Sequence, residues 1–110
     1  AGITFWDVAH ETNGGLIADG YTRSTGKMSM VIAQNGPGIT GLVTPIKTAY
    51  WNHTPLLLVT PQAANKTMGQ GGFQEVEQMN LFKDMVCQYA PIIQKRHRRI
   101  ERVKWLFTWC

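Results

Sequence analysis

Two short runs constrain this chain most: residues 28–33 (MSMVIA), almost wholly apolar, and residues 56–59 (LLLV), wholly apolar, each bounded by turn residues. A strand with one face in water alternates apolar and polar residues. A run apolar on both sides belongs in a sheet covered on both faces. The segments around these runs have helical spacing. Residues 10–23 carry an apolar stripe of Leu16, Ile17, Ala18 and Tyr21, with Gly26 just beyond as a stop. Within that helix Gly14 and Gly15 cost stability, which points to close approach by another group. Residues 39–51 form a second helix with Leu42, Val43, Ile46, Ala49 and Tyr50 as its buried side. Pro45 is expected to start a turn or kink it. Residues 3–8 read as a β-branched and aromatic strand, 73–83 as a short helix and 85–87 as one more strand.

Strands alternating with helices predict an α/β fold: a partial doubly wound parallel sheet with helices on both faces. Ligands of such sheets bind at the carboxyl ends of the strands. Three polar segments follow strands here: His10-Glu11, Gln34-Asn35-Gly36-Pro37-Gly38, and the glycine-rich loop after Thr60. They are expected to crowd one edge.

With 110 residues the chain holds one domain at most, and 44% hydrophobic against 16% charged residues is the balance of a core-forming protein. No apolar run approaches the roughly 20 residues of a membrane span, so no membrane partner is expected. No basic-then-apolar leader opens the sequence, and Cys87 and Cys110 are too few for a disulfide scaffold. The expected location is the cytoplasm. The net charge of +4 belongs to one end. Residues 1–86 carry five Lys/Arg against six Asp/Glu, and residues 87–110 carry six against one. The body therefore gives no electrostatic reason to expect nucleic acid as a partner. A nucleic-acid-binding module working through residues 95–104 is the alternative of a different class. The jump in charge points instead to an out-of-frame segment at residues 90–110, following a domain piece at residues 1–89.

Taken singly, the motifs are weak. Glu11 sits where a strand gives way to a helix, a place that stabilises any carboxylate. No second histidine follows His10 at helical spacing, so a hydrogen-bonding role outranks zinc. Asn35-Gly36-Pro37-Gly38 lets backbone groups approach a ligand closely, yet taken alone a plain tight turn explains it better. It is neither a Walker loop nor a dinucleotide fingerprint. The segment Gly69-Gln70-Gly71-Gly72-Phe73-Gln74-Glu75 has the make-up of an active-site loop.

In order along the chain, the motifs become specific. His10-Glu11, Ala18-Asp19-Gly20-Tyr21-Thr22-Arg23, Gly36-Pro37-Gly38 and Gly72-Phe73-Gln74-Glu75 resemble the pyrimidine-binding domain of thiamine-diphosphate-dependent enzymes. The resemblance covers roughly residues 3–89. Asn35 before Gly-Pro-Gly, Tyr50-Trp51, and Gly71 to Gln78 are most similar to the acetyltransferase branch that acts on sulfoacetaldehyde. An acetolactate-synthase-like enzyme is the alternative.

The resemblance implies that Glu11 is the carboxylate that hydrogen-bonds the cofactor's aminopyrimidine. That role asks for a carboxyl group in a partly dry site, able to hold or share a proton. Gly36, Pro37 and Gly38 are implied as cofactor-binding, and Phe73 and Gln74 as substrate-side. The implied reaction takes sulfoacetaldehyde and phosphate to acetyl phosphate and sulfite. Thiamine diphosphate is the implied cofactor, with Mg2+ held by a diphosphate domain that the sequence does not contain. A second subunit is implied to complete the site, as a homodimer or homotetramer. No metal ligands are assigned in this chain, and by itself it is expected to be inactive.

Overall fold

A computed structural model describes residues 2–63, 67–85, 88–90 and 103–108, the last two stretches as backbone only. The first helix, α1 (Glu11–Thr25), starts where the sequence places it. His10 is its N-cap, and the His10 Nδ1 accepts from the Thr12 N–H at 3.2 Å. That single bond satisfies one of the orphan N–H groups of the first turn and accounts for His10 without a metal. The helix ends at Gly26, whose φ of 70° is left-handed and whose N–H reaches the Thr22 carbonyl.

Strand β1 (Ser29–Ile32) pairs in parallel with β2 (Leu56–Pro61), Val31 opposite Leu58. The crossover between them contains α2 (Pro37–Thr40) and α3 (Val43–Trp51). The expected single helix over residues 39–51 is thus two helices, broken at Gly41-Leu42. Pro45 does not kink α3, because it lies in the first turn, where the missing N–H has no intrahelical partner to lose. It is buried and meets Gly15 of α1, and a Cβ built on Gly15 would stand 2.5 Å from its ring. A Cβ on Gly14 would meet Val8 at 2.9 Å. Both glycines therefore answer to close approach, as their positions suggest.

The core lies between these helices and the parallel pair: Ile39, Leu42, Ile46, Leu56, Leu58 and Phe82 are all essentially inaccessible. Helix α4 (Gln78–Leu81) is one turn, far too short to hold itself together. Burial of Met79 and of the adjoining Phe82 fixes it, each buried side chain contributing about 1.5–3 kcal/mol. Residues 73–77, expected to belong to this helix, are loop instead, for a reason given below.

Two further strands complete a four-stranded sheet of order β1-β2-β4-β3: β3 (Gln88–Ala90) and β4 (Val103–Thr108). The class is α/β as expected. Among the described residues the parallel pairing is that of β1 with β2, and β4 runs antiparallel to both β2 and β3. The expected strand at 85–87 is a bend at Met85, and residues 86 and 87 lie outside the described residues. Residues 3–8 form no strand: Ile3, Phe5 and Trp6 are 75%, 75% and 82% exposed. Residues 5–8, with β1 and α1, line an apolar groove of about 410 Å³ that Glu11 also lines. Most of the basic run at residues 95–104 lies outside the described residues. Among the described residues no helix is long and apolar enough to cross a membrane.

Candidate functional site

All three polar segments meet at one edge of the sheet. Glu11 is the first residue of α1, and its carboxylate is exposed at that helix's positive end. Across from it lies Gly38 of α2. A Cβ built on Gly38 would be 3.4 Å from Glu11 Oε1 and 3.4 Å from the Gln34 Cβ. A Cβ on Gly41 would lie 3.6 Å from the Glu11 Cβ. The glycines thus let the carboxylate lie directly over the backbone of α2. The Thr12 Oγ1 ties the two elements together, donating to the Gly41 carbonyl at 2.6 Å.

The turn after β1 is joined to the loop after β2 through one residue, Gln74. The Asn35 Nδ2 donates to the Gln74 carbonyl at 3.1 Å, and the Gln34 Nε2 donates to the Gln74 Oε1. Gly36 has φ 74° and ψ −119°, a region only glycine enters readily. A Cβ there would stand 2.6 Å from the Gln74 carbonyl oxygen. Gly36 therefore seats the loop, whereas Gly38 faces the carboxylate. Pro37 is exposed between them.

Glu75 shapes the loop. Its Oε1 accepts from the Gly69 N–H and its Oε2 from the Gly72 N–H at 2.9 Å. These bonds, that to Gly69 above all and then that to Gly72, hold its carboxyl below the usual carboxylate range. They commit the backbone to a folded loop rather than a helix, and Gln74 adopts a left-handed φ of 58°. Phe73 at the tip is 89% exposed. The loop's far end is pinned by Gln78, whose Nε2 donates to the Pro61 carbonyl at 2.9 Å while its Oε1 accepts from the buried Thr60 Oγ1 at 3.0 Å.

The residues singled out in the sequence thus come together at one edge: Glu11 with Gly38, Gly36 with Gln74, and Phe73 beside Gln74. Sequence reasoning placed Gln34, Glu75 and Gln78 in the segments it singled out but assigned none of them a role. Their side-chain contacts span loops that local pattern cannot connect. No group of three or more His, Cys, Asp or Glu capable of holding a metal occurs among the described residues.

This edge and fold define a class. The family model for the thiamine pyrophosphate enzyme N-terminal TPP binding domain matches residues 1–81, and the chain belongs to that family. It is 85% identical over 92 residues to a sulfoacetaldehyde acetyltransferase of Roseovarius nubinhibens, covering 84% of this chain and 15% of that protein. A probable sulfoacetaldehyde acetyltransferase of Rhizobium meliloti is 74% identical over 92 residues, 84% of this chain and 16% of its own length. An acetolactate synthase of Arthrospira platensis is more distant, 44% identical over 75 residues, 68% of this chain and 13% of that enzyme. The chain thus spans about 15% of the length of the curated relatives it matches.

Proposed function

We propose that this chain is the cofactor-activating part of an enzyme that converts sulfoacetaldehyde and phosphate to acetyl phosphate and sulfite. The observation that carries the reading is the placement of the Glu11 carboxylate over Gly38, at the edge where the loops after β1 and β2 also meet. The identity to sulfoacetaldehyde acetyltransferases, against the lower identity to acetolactate synthases, favours this substrate over the alternative.

The residues present suit thiamine diphosphate. Gly38 puts no side chain beside Glu11 Oε1, where a Cβ would already be in contact at 3.4 Å, and a carboxyl group that carries a proton can donate to a ring nitrogen of an aminopyrimidine. When bound, the cofactor supplies the carbon nucleophile and the electron sink for acetyl transfer. Glu11 would hydrogen-bond the ring through a carboxyl oxygen; in this chain it is exposed, not in the partly dry site that the role asks for. Gly36, Pro37 and Gly38 form the adjoining wall, with Gly36 also fixing the loop. Phe73 and Gln74 would lie on the substrate side, the exposed ring presented to a small anionic aldehyde and the Gln74 amide held beside it by Gln34. The remainder of the protein and a second subunit, in a homodimer or homotetramer, would hold the diphosphate with Mg2+. The location that goes with this chemistry is the cytoplasm.

The test is a graft. The stretch of this chain matched in the Roseovarius nubinhibens enzyme replaces its counterpart there, and acetyl phosphate is assayed from sulfoacetaldehyde and phosphate with added thiamine diphosphate and Mg2+. Turnover close to that of the parent is expected. A folded graft without turnover, or one that condenses pyruvate instead, overturns the reading.

A further inference from the structure

Glu75 is the one carboxylate among the described residues that binds two backbone N–H groups of a loop, those of Gly69 and Gly72. Neither bond belongs to a helix or a sheet. Glu77, two residues on, is the N-cap residue of α4 and makes no side-chain cap bond there. The loop that Glu75 gathers has three glycines at 69, 71 and 72, two of them at positive φ. Such a segment has much conformational freedom to lose and little apolar burial to offset it. It ends in Gln74, held at a φ of 58° that a residue with a Cβ rarely adopts. Something must over-determine that conformation. On one side Asn35 and Gln34 grip the Gln74 carbonyl and amide. On the other the Glu75 carboxylate holds the N–H groups of Gly69 and Gly72.

We propose that Glu75 is a positioning residue: by gathering the N–H groups of Gly69 and Gly72 it fixes Phe73 and Gln74 against the turn that carries Gly36 and Gly38, and so sets the substrate-side wall of the site. The inference rests on the function proposed above. Glu75 touches no reacting atom in this role. Its carboxylate acts through Gln74, and Gln74 through Gln34, whose Cβ lies beside Gly38. The lowered carboxyl agrees with the geometry. A group whose folded pKa is depressed contributes fully above its unfolded value and is lost as pH falls through the folded one. The clasp is therefore complete throughout the neutral range and opens only below the usual carboxylate range.

The test uses the grafted full-length enzyme with Glu75→Gln, which keeps the side chain's size and removes its charge, beside Glu75→Asp and the neighbouring control Glu77→Gln. For Glu75→Gln we expect KM for sulfoacetaldehyde to rise about tenfold with kcat changed far less, the signature of lost substrate positioning. The affinity for thiamine diphosphate, read by fluorescence titration, should stay as in the unsubstituted graft. Amide hydrogen exchange at residues 69–74 should quicken, while residues 56–60 keep their protection. Glu75→Asp should fall between, and Glu77→Gln should change nothing. An active graft whose Glu75→Gln form keeps its KM overturns the positioning role and leaves the enzymatic reading intact. An inactive unsubstituted graft overturns the enzymatic reading, and with it the substrate role proposed for Glu75. Exchange at residues 69–74 unaltered by Glu75→Gln removes the clasp in either case.

Discussion

A carboxylate at the first position of a helix is common and carries no chemistry by itself, because the helix's positive end stabilises any acid there. Local pattern at Glu11 supports nothing more, and the order of motifs along the chain was needed to single it out. The fold adds a relation that spacing cannot express: Glu11 and Gly38 are far apart in sequence, yet one would touch a Cβ on the other at 3.4 Å. Gln74 shows the converse. Its motif was legible, but its left-handed backbone was not, since it follows from Glu75 binding two N–H groups and from Asn35 binding its carbonyl. For the full-length enzyme we expect Glu11→Gln to lower kcat/KM by about 10²- to 10⁴-fold, the usual scale of a lost proton-transfer group. The side chain is exposed, so the unfolding midpoint should hardly move, within about 0.5 kcal/mol. Steady-state kinetics with thermal unfolding on the same sample decides it. Activity within a few-fold of the unsubstituted enzyme would take Glu11 out of the mechanism.

The elements were legible in proportion to how far their own residues determine them. The place and the stop of helix α1 were legible, but its stripe did not name the buried face: Leu16, Ile17 and Tyr21 are exposed, and Gly15, Ala18, Asp19 and Thr22 are buried. Strands β1 and β2 followed from their apolar runs, though Met30 and Ile32 leave one face of β1 exposed rather than covered. Residues 3–8 have strand composition but no hydrogen-bonded neighbour among the described residues, and composition cannot supply one. Pro45 does open a turn, the first of α3, but the break at Gly41-Leu42 before it has no proline to mark it. The crossing of α1 and α3 gives two substitutions of opposite sign within one helix. Gly15→Ala drives a methyl to 2.5 Å from the rigid Pro45 ring and 3.0 Å from Leu42. Overpacking of that kind costs about 1–3 kcal/mol, against about 1 kcal/mol regained from helix propensity, so a net loss is expected. Gly20→Ala meets nothing within 4 Å and keeps only the gain, about 1 kcal/mol. Urea unfolding of the two variants should move their midpoints in opposite directions. Two stabilised proteins would mean that the helices do not cross at Gly15.

At the scale of the whole molecule the sheet contains a conflict between charge and pairing. Strand β4 falls inside the segment of reversed charge balance and lies beside β2, with Leu58 opposite Leu106. That pairing could be read as the mark of a tail fitted to this domain. An open sheet edge, however, presents a row of backbone N–H and C=O groups that any β-prone segment can satisfy, and residues 103–108 (VKWLFT) are such a segment. Backbone pairing is indifferent to sequence and so does not argue for a native tail. The matched stretch in the sulfoacetaldehyde acetyltransferases is 92 residues at most, of the 110 in this chain. From the jump in charge we propose that residues 1–89 are domain and that the segment after them is read out of frame; the 92-residue matches reach at least residue 92, which sets the break a few residues later than charge alone suggests. Translating the coding DNA downstream of the Tyr89 codon in the other two frames should give, in one of them, sequence that continues the alignment with those relatives. If neither frame does, the basic segment is native. Its binding to nucleic acid, lost on deletion of residues 95–104 and steeply weakened by salt, then becomes the measurement to make.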